Sequence, residues 1–371
     1  MKIIHLVLGK ANPERMNGVN KVAYNLASTQ SALGWDVTLW GIANTLEVNY
    51  PNRNFKTRIF QQLKNKMKID ESLKVAIKLL EKNTIVHIHG AFIPEFYHVS
   101  RLLSEKGIEY IYTPHGSLTE MAMTKNKWVK KIYFQAFESK LIRDAKFVQL
   151  LGINEYQYLN RLTKNANKCL IPNGQDLKTI YLPLRKNKTN DAPVFGFCGR
   201  LAIFHKGLDL MLEGFRRYIM LGGTGTLELI GDSDERAELE KLAFKLGIAE
   251  RVIFHGKKFG KPKFDLLSKM DVFLHTSRME GFPTAVLEAA AMKIPTITSD
   301  ATNINSFVTK HRSGFILEKN TPEEIAQAMI TAERHFSENK LKAIGERGRK
   351  MVNQDFDWKV IAKQLVEVYA A

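Results

Sequence analysis

Cysteine is scarce in this chain. Two residues in 371, Cys169 and Cys198, cannot build a disulfide framework or a zinc site. Both sit among apolar residues, so buried thiols of a reducing cytoplasm are expected. Long hydrophobic runs are also missing. The longest are strand-sized, and no transmembrane helix is expected. The opening Met1-Lys2-Ile3-Ile4-His5-Leu6-Val7-Leu8 is too short for a signal peptide and reads as a first strand. No repeat of about 20–50 residues and no low-complexity segment occurs. Acidic residues are thin in the first half. Residues 1–185 hold 14 Asp and Glu against 27 Lys and Arg, a net +13, which leaves +4 of the total +17 to residues 186–371. That asymmetry points to a polyanionic partner of the first half, or to a merely lysine-rich surface. An anionic membrane, a phosphorylated acceptor and nucleic acid all fit that description.

What is present is an ordinary globular composition, 44% hydrophobic and 25% charged, long enough for two domains. Short apolar runs alternate with amphipathic stretches, the pattern of parallel α/β architecture. Strands are expected near 2–9, 36–42, 84–89, 109–113 and 146–151, and helices near 18–33, 71–82, 94–106, 127–143 and 154–163. A polar, Lys- and Asn-rich segment, 181–192, reads as a linker. A second α/β series follows, with strands near 194–200, 226–231, 251–255, 271–276, 295–299 and 314–317. The end, from Asp357 to Tyr369, is an amphipathic helix.

The most informative stretch is Glu280-Gly281-Phe282-Pro283-Thr284-Ala285-Val286-Leu287-Glu288. A strand-like run precedes it and a helical run follows. Gly281 is expected to free the turn, and Pro283 suits a first helical position. The amides of Thr284, Ala285 and Val286 would then face an anion such as a diphosphate. Glu280 and Glu288 bracket that site and can accept hydrogen bonds from sugar hydroxyls. Upstream, in Gly199-Arg200-Leu201-Ala202-Ile203-Phe204-His205-Lys206-Gly207, a strand ends and a helix is expected near Lys206. Arg200 and Lys206 on one such loop can both reach a diphosphate.

These motifs resemble glycosyltransferase family 4, retaining enzymes of GT-B fold. The resemblance implies two Rossmann-like domains facing across a cleft: residues 1–185 for the acceptor, 186–355 for the nucleotide sugar, and a terminal helix, 356–371, returning to the first domain. It implies that Arg200 and Lys206 bind the donor diphosphate, Glu280 the donor sugar and Glu288 the ribose. In Tyr112-Thr113-Pro114-His115-Gly116, the resemblance puts His115 beside the donor sugar, where a ring N–H can bind a hydroxyl; a hydrogen-bonded structural histidine is the other reading. In the Met16-Asn17-Gly18 turn, Asn17 stands where the family has the first of two adjacent glycines; helix amides at Gly18 would face the donor phosphate or the acceptor, and a plain βα turn is the other reading. His255 and Gly256, at a strand end, would meet the nucleotide base through backbone groups, and Phe282 and Thr284 complete the expected donor-binding set. His87 and His89 are expected on opposite faces of their strand, unable to hold one metal, with His87 in the core and His89 toward the cleft.

No obligatory metal and no other cofactor is expected, because fixed cations and a helix N-terminus can stabilise a leaving phosphate. Asp232 and Asp234 have a metal-like spacing but follow a strand where the family has a plain loop. Two basic, apolar-interleaved segments suit an anionic bilayer or a solvated helix face: Arg53 to Lys68, and Met121 to Lys131 with Lys125, Lys127, Trp128, Lys130 and Lys131. The expectation is a cytoplasmic, membrane-peripheral glycosyltransferase of envelope polysaccharide assembly. It would use a UDP-sugar, or a GDP-sugar, and a lipid-linked or saccharide acceptor. A GT-B epimerase is the alternative enzyme. A nucleic-acid binder would explain the charge but not Glu280 and Glu288, which repel phosphate.

Overall fold

The computed structural model describes residues 1–12, 18–47, 52–124, 126–163, 166–177, 180–181 and 191–371. Two compact units divide the chain, Met1–Gly174 with Trp358–Ala371, and Gln175–Asp357. In the first unit the strands are β1 Lys2–Leu8, β2 Asp36–Ala43, β3 Lys56–Gln61, β4 Thr84–His89, β5 Glu109–Thr113, β6 Phe147–Leu150 and β7 Lys168–Leu170. They form one sheet in the order β3-β2-β1-β4-β5-β6-β7, parallel throughout. In the second unit they are β8 Val194–Cys198, β9 Thr226–Ile230, β10 Val252–Gly256, β11 Val272–His275, β12 Thr296–Ser299 and β13 Gly314–Leu317. Their order is β10-β9-β8-β11-β12-β13, again all parallel.

Parallel strands covered on both faces read as continuous apolar runs, and β4 and β11 are buried at every residue. In each sheet the strand order reverses once, between β1 and β4 and between β8 and β11. Open α/β sheets hold ligands beyond the carboxyl ends of strands at such a reversal. The terminal helix, Trp358–Ala370, packs within the first unit, where Ile361, Ala362, Leu365 and Tyr369 share a core with Ala23 and Leu26.

Four expectations change. Residues 56–61 form β3 at the sheet edge, so the 53–68 segment is not a solvated helix face. Arg53 is tied to the carbonyls of Lys10 and Ala11, and Arg58 lies over the Phe60 ring. The three-residue β7 was not anticipated. The helix expected at 127–143 is Lys127–Tyr133, a π-helical turn Phe134–Glu138, and Ser139–Asp144. His87 and His89 stack on one another, ring centroids 4.1 Å apart, because residues two apart on a strand share a face. Most of the expected linker, residues 182–190, lies outside the described residues. No helix among the described residues is long and apolar enough to cross a membrane.

Candidate active site

The reversal in the second sheet puts the end of β8 beside the end of β11. Arg200 leaves β8 exposed to solvent, two residues past Cys198. A four-residue helix, Ile203–Lys206, follows, then Gly207 in the left-handed region and the helix Leu208–Met220. The helix expected to begin near Lys206 is therefore two, broken at Gly207. A Cβ at Gly207 would lie 2.0 Å from the Thr276 carbonyl oxygen. That approach lets the Thr276 hydroxyl donate to the Gly207 carbonyl at 3.0 Å. The loop after β11 is strapped to the same helix. The amides of Arg278 and Met279 donate to the His205 carbonyl, and the Arg278 guanidinium grips both oxygens of Asp209 at 2.7 and 2.8 Å.

This scaffold brings Lys206 and Glu280 together, Nζ to Oε2 at 2.5 Å, with side chains only 18% and 12% exposed. His275, the last residue of β11, meets the same oxygen through Nε2 at 2.7 Å. Its ring is buried and stacked against Phe197 and Phe273. Among the described residues its buried Nδ1 has no partner. A second proton there would be unsatisfied, and burial lowers the pKa of His275 below its ordinary value. So His275 is a neutral donor through Nε2–H. Burial pushes the Glu280 carboxyl up, but the His275 hydrogen bond and the Lys206 charge outweigh it and hold the carboxyl below its ordinary range. With His275 neutral, Lys206 supplies the charge. The result is an ionised carboxylate and a half-buried ammonium fixed at a strand-end reversal.

Glu288 lies apart from that pair, in the helix Thr284–Ala291, with both oxygens 2.8 Å from Lys263 Nζ. Three details of the motif differ from expectation. Pro283 is the N-cap, not the first helical residue. The Thr284 amide donates to the Phe282 carbonyl and the Val286 amide to the Pro283 carbonyl, each at 3.0 Å. The tight turn thus consumes two of the three amides expected to be free. Gly281 is outside the left-handed region and a Cβ there would meet nothing within 4 Å, so the turn does not need glycine. Phe282 packs on Phe356, and Thr284 is exposed. In β10, His255 Nε2 meets Glu228 of β9 at 2.8 Å, and Gly256 follows a register shift at φ +67°.

In the first unit His115 follows β5 with φ +53°, a conformation that costs a non-glycine residue about 1–2 kcal/mol. Buried Glu155 holds this loop, its carboxylate accepting from the amides of Leu118 and Leu151, each at 3.3 Å. Burial raises the Glu155 pKa to about 7 and lowers that of His115 to about 3. His115 Nε2 lies 3.0 Å from His89 Nδ1. Gly18 opens the helix Gly18–Ala32, while Met16 and Asn17 lie outside the described residues. On the helix Lys127–Tyr133, Trp128, Val129 and Ile132 are 71%, 70% and 68% exposed beside Lys127, Lys130 and Lys131. Lys125 lies outside the described residues.

Residues 16–179 match the family model described as Glycosyltransferase Family 4, and residues 184–351 the one described as Glycosyl transferases group 1. The chain belongs to glycosyltransferase family 4. Over 194 residues it is 28% identical to the GDP-mannose-dependent alpha-mannosyltransferase of Mycobacterium tuberculosis, covering 51% of this chain and 46% of that protein. Over 278 residues it is 26% identical to the UDP-Gal:alpha-D-GlcNAc-diphosphoundecaprenol alpha-1,3-galactosyltransferase of Escherichia coli, covering 70% of this chain and 69% of that protein. In several relatives, the mannosyltransferase included, the chain spans about half the length or less. The solved lipopolysaccharide outer core galactosyltransferase WaaB matches 100% of this chain and 99% of its own, at TM-score 0.74 and 17% identity. The fold is GT-B.

Within this family 4 chain, sequence reasoning missed His275, Lys263, Arg278, Asp209 and Glu155. For His275 a signal existed: it closes an apolar strand five residues before Glu280, on the strand end that carries the motif. Glu155 is the third residue of the helix Ile153–Leu162, the position from which a glutamate reaches back to preceding amides. Lys263 and the Arg278–Asp209 pair carry no local mark.

Proposed function

We propose that this chain is a retaining, metal-independent glycosyltransferase that moves a sugar from a nucleotide diphosphate to a lipid-linked or saccharide acceptor. The observation that carries the reading is the Lys206–Glu280–His275 group at the β8/β11 reversal. In the proposed reaction Lys206 and Arg200 take up the charge that develops on the leaving diphosphate. Glu280, kept ionised, accepts a hydrogen bond from a donor-sugar hydroxyl, and Glu288 accepts one from the ribose. His115 binds a further sugar hydroxyl. His255, Gly256, Gly18, Phe282 and Thr284 complete the donor contacts. A UDP-sugar is favoured, since the longer of the two matches is to a protein named for UDP-Gal.

Envelope polysaccharide assembly at the inner face of the cytoplasmic membrane is the proposed setting. The exposed Trp128, Val129 and Ile132 among lysines support an anionic bilayer as the docking partner. The test begins with thermal shift against nucleoside diphosphates, since a bound ligand stabilises the fold by mass action. Transfer to a lipid-diphosphate sugar, with the anomer read by NMR, then checks the reaction. Stabilisation by no nucleotide would overturn the reading, an inverted product would overturn retention, and donor turnover without an acceptor would indicate an epimerase.

A further inference from the structure

A buried line of polar groups crosses the first unit and ends at His115. One end is a backbone carbonyl, that of Ile171, which can only accept. The Gln149 amide nitrogen donates to it at 2.9 Å, so Gln149 Oε1 is an acceptor. Thr113 donates its hydroxyl proton to that oxygen at 2.8 Å. The Thr113 oxygen must then accept from His87 Nε2–H, 2.6 Å away. His87 is neutral, because burial drives its pKa well down, so its Nδ1 is bare and accepts from the Tyr369 hydroxyl at 2.6 Å. With its one proton spent there, Tyr369 accepts from the Gln30 amide at 3.4 Å. Gln30 Oε1 therefore accepts from His5 Nε2–H at 2.8 Å. His5 is buried and neutral, its pKa held near 4. Its Nδ1 accepts from His89 Nε2–H at 2.9 Å. The same logic makes His89 Nδ1 the acceptor for His115 Nε2–H at 3.0 Å.

We infer that this one-directional chain fixes His115 as the Nε2–H tautomer and leaves Nδ1 as its only free ring nitrogen, a hydrogen-bond acceptor. Every link but the two ends is a side chain buried in the unit. One ring nitrogen from each of His5, His87 and His89 lies within 4.8 Å of the other two, and all six ring nitrogens already have hydrogen-bond partners. Among the described residues His115 Nδ1 has no partner, and it is not one of the buried unpaired atoms. A sugar hydroxyl would thus donate to His115, the reverse of the expected N–H contact. Tyr369, Gln30, His5 and His89 are positioning residues for that nitrogen. Tyr369 lies in the terminal helix, which gives that helix a role in the tautomer of His115 as well as in packing. The functional half of this inference rests on His115 acting on the donor sugar.

The test labels the full-length chain with ¹⁵N-histidine and reads each tautomer from long-range proton–nitrogen spectra. The expected result is Nε2–H for His5, His87, His89 and His115 in the wild type. Tyr369→Phe keeps the ring but cuts the chain, so His115 should become a mixture of tautomers. Transfer should then lose roughly five-fold in kcat, about one hydrogen bond, with little change in donor KM. A proton on His115 Nδ1, or a tautomer unmoved by Tyr369→Phe, would overturn the inference whatever the activity. Full transfer by His115→Ala with the wild-type tautomers as assigned would instead remove His115 from the reaction.

Discussion

Gly207→Ala isolates the contact on which the Lys206–Glu280 pair depends. At φ +60° an alanine pays the left-handed penalty, and its Cβ would sit 2.0 Å from the Thr276 carbonyl oxygen, a backbone atom that cannot rotate away. The first effect costs about 1–2 kcal/mol. The second, an overpacking, costs about 1–3 kcal/mol. Gly247 is the control: φ is +70° and nothing lies within 4 Å. Gly247→Ala should show only the first effect, so the two variants should differ by about 1–3 kcal/mol. All four tryptophans, Trp35, Trp40, Trp128 and Trp358, belong to the first unit. Far-UV circular dichroism follows both units and tryptophan fluorescence only the first, so the urea transition seen by dichroism but not by fluorescence is that of the second unit. Gly207→Ala should also depress transfer more than Gly247→Ala, because the Thr276 loop must retreat and carry Glu280 with it. Equal urea midpoints for the two variants would refute the reasoning, since the loop would then yield without cost.

Lys206→Ala should lower turnover on the order of a hundredfold with no requirement for added metal. Full activity in that variant removes Lys206 from the site, and inhibition by EDTA that added metal reverses contradicts the metal-free reaction. Acidification from pH 7 to 5 should weaken the first unit. Buried His5 and His115, with pKa values near 4 and 3 against about 6.5 unfolded, each forfeit about 2 kcal/mol as the unfolded chain takes up protons. Glu138 and Glu155, raised to about 7 by burial, return a similar amount, and the lowered pKa values of His87 and His89 tip the balance toward loss. A fluorescence midpoint that rises on acidification would mean the folded histidine cluster accepts protons. Neutralising Lys127, Lys130 and Lys131 should weaken binding to anionic vesicles by about 1 kcal/mol per charge and leave nucleotide binding unchanged; equal binding to neutral vesicles would dismiss the membrane face.

The two parallel sheets were legible because their central strands are buried on both faces and so are written as uninterrupted apolar runs, such as Phe195-Gly196-Phe197 and Val272-Phe273-Leu274. The edges were not. β3, Lys56-Thr57-Arg58-Ile59-Phe60-Gln61, buries only Phe60, and its alternating cations imitate an amphipathic surface segment. The π-helical turn that carries Glu138 has no letter of its own: Phe134 to Glu138 reads as ordinary helix. Buried Glu138 accepts from Tyr112 and from the amide of Phe92, which has φ +59°. Those partners come from other elements, so only the folded chain shows why a glutamate is tolerated there.

The candidate site divides the same way. Glu280 and Lys206 announced themselves because each lies on the segment that follows a central strand, β11 and β8, where local sequence decides position. Their mutual contact did not, since 74 residues separate them and Gly207, a residue without a side chain, sets the distance. The histidines show how a periodicity misapplied can hide a network. Residues 87 and 89 differ by two, so the strand period itself puts them on one face. His5 lies opposite His87 in the β1–β4 register, which completes a cluster on that face. Identity and alternation could have disclosed the cluster. The direction of its hydrogen bonds could not have been read, because that follows from one fact far away in the chain: the Ile171 carbonyl has no proton to give.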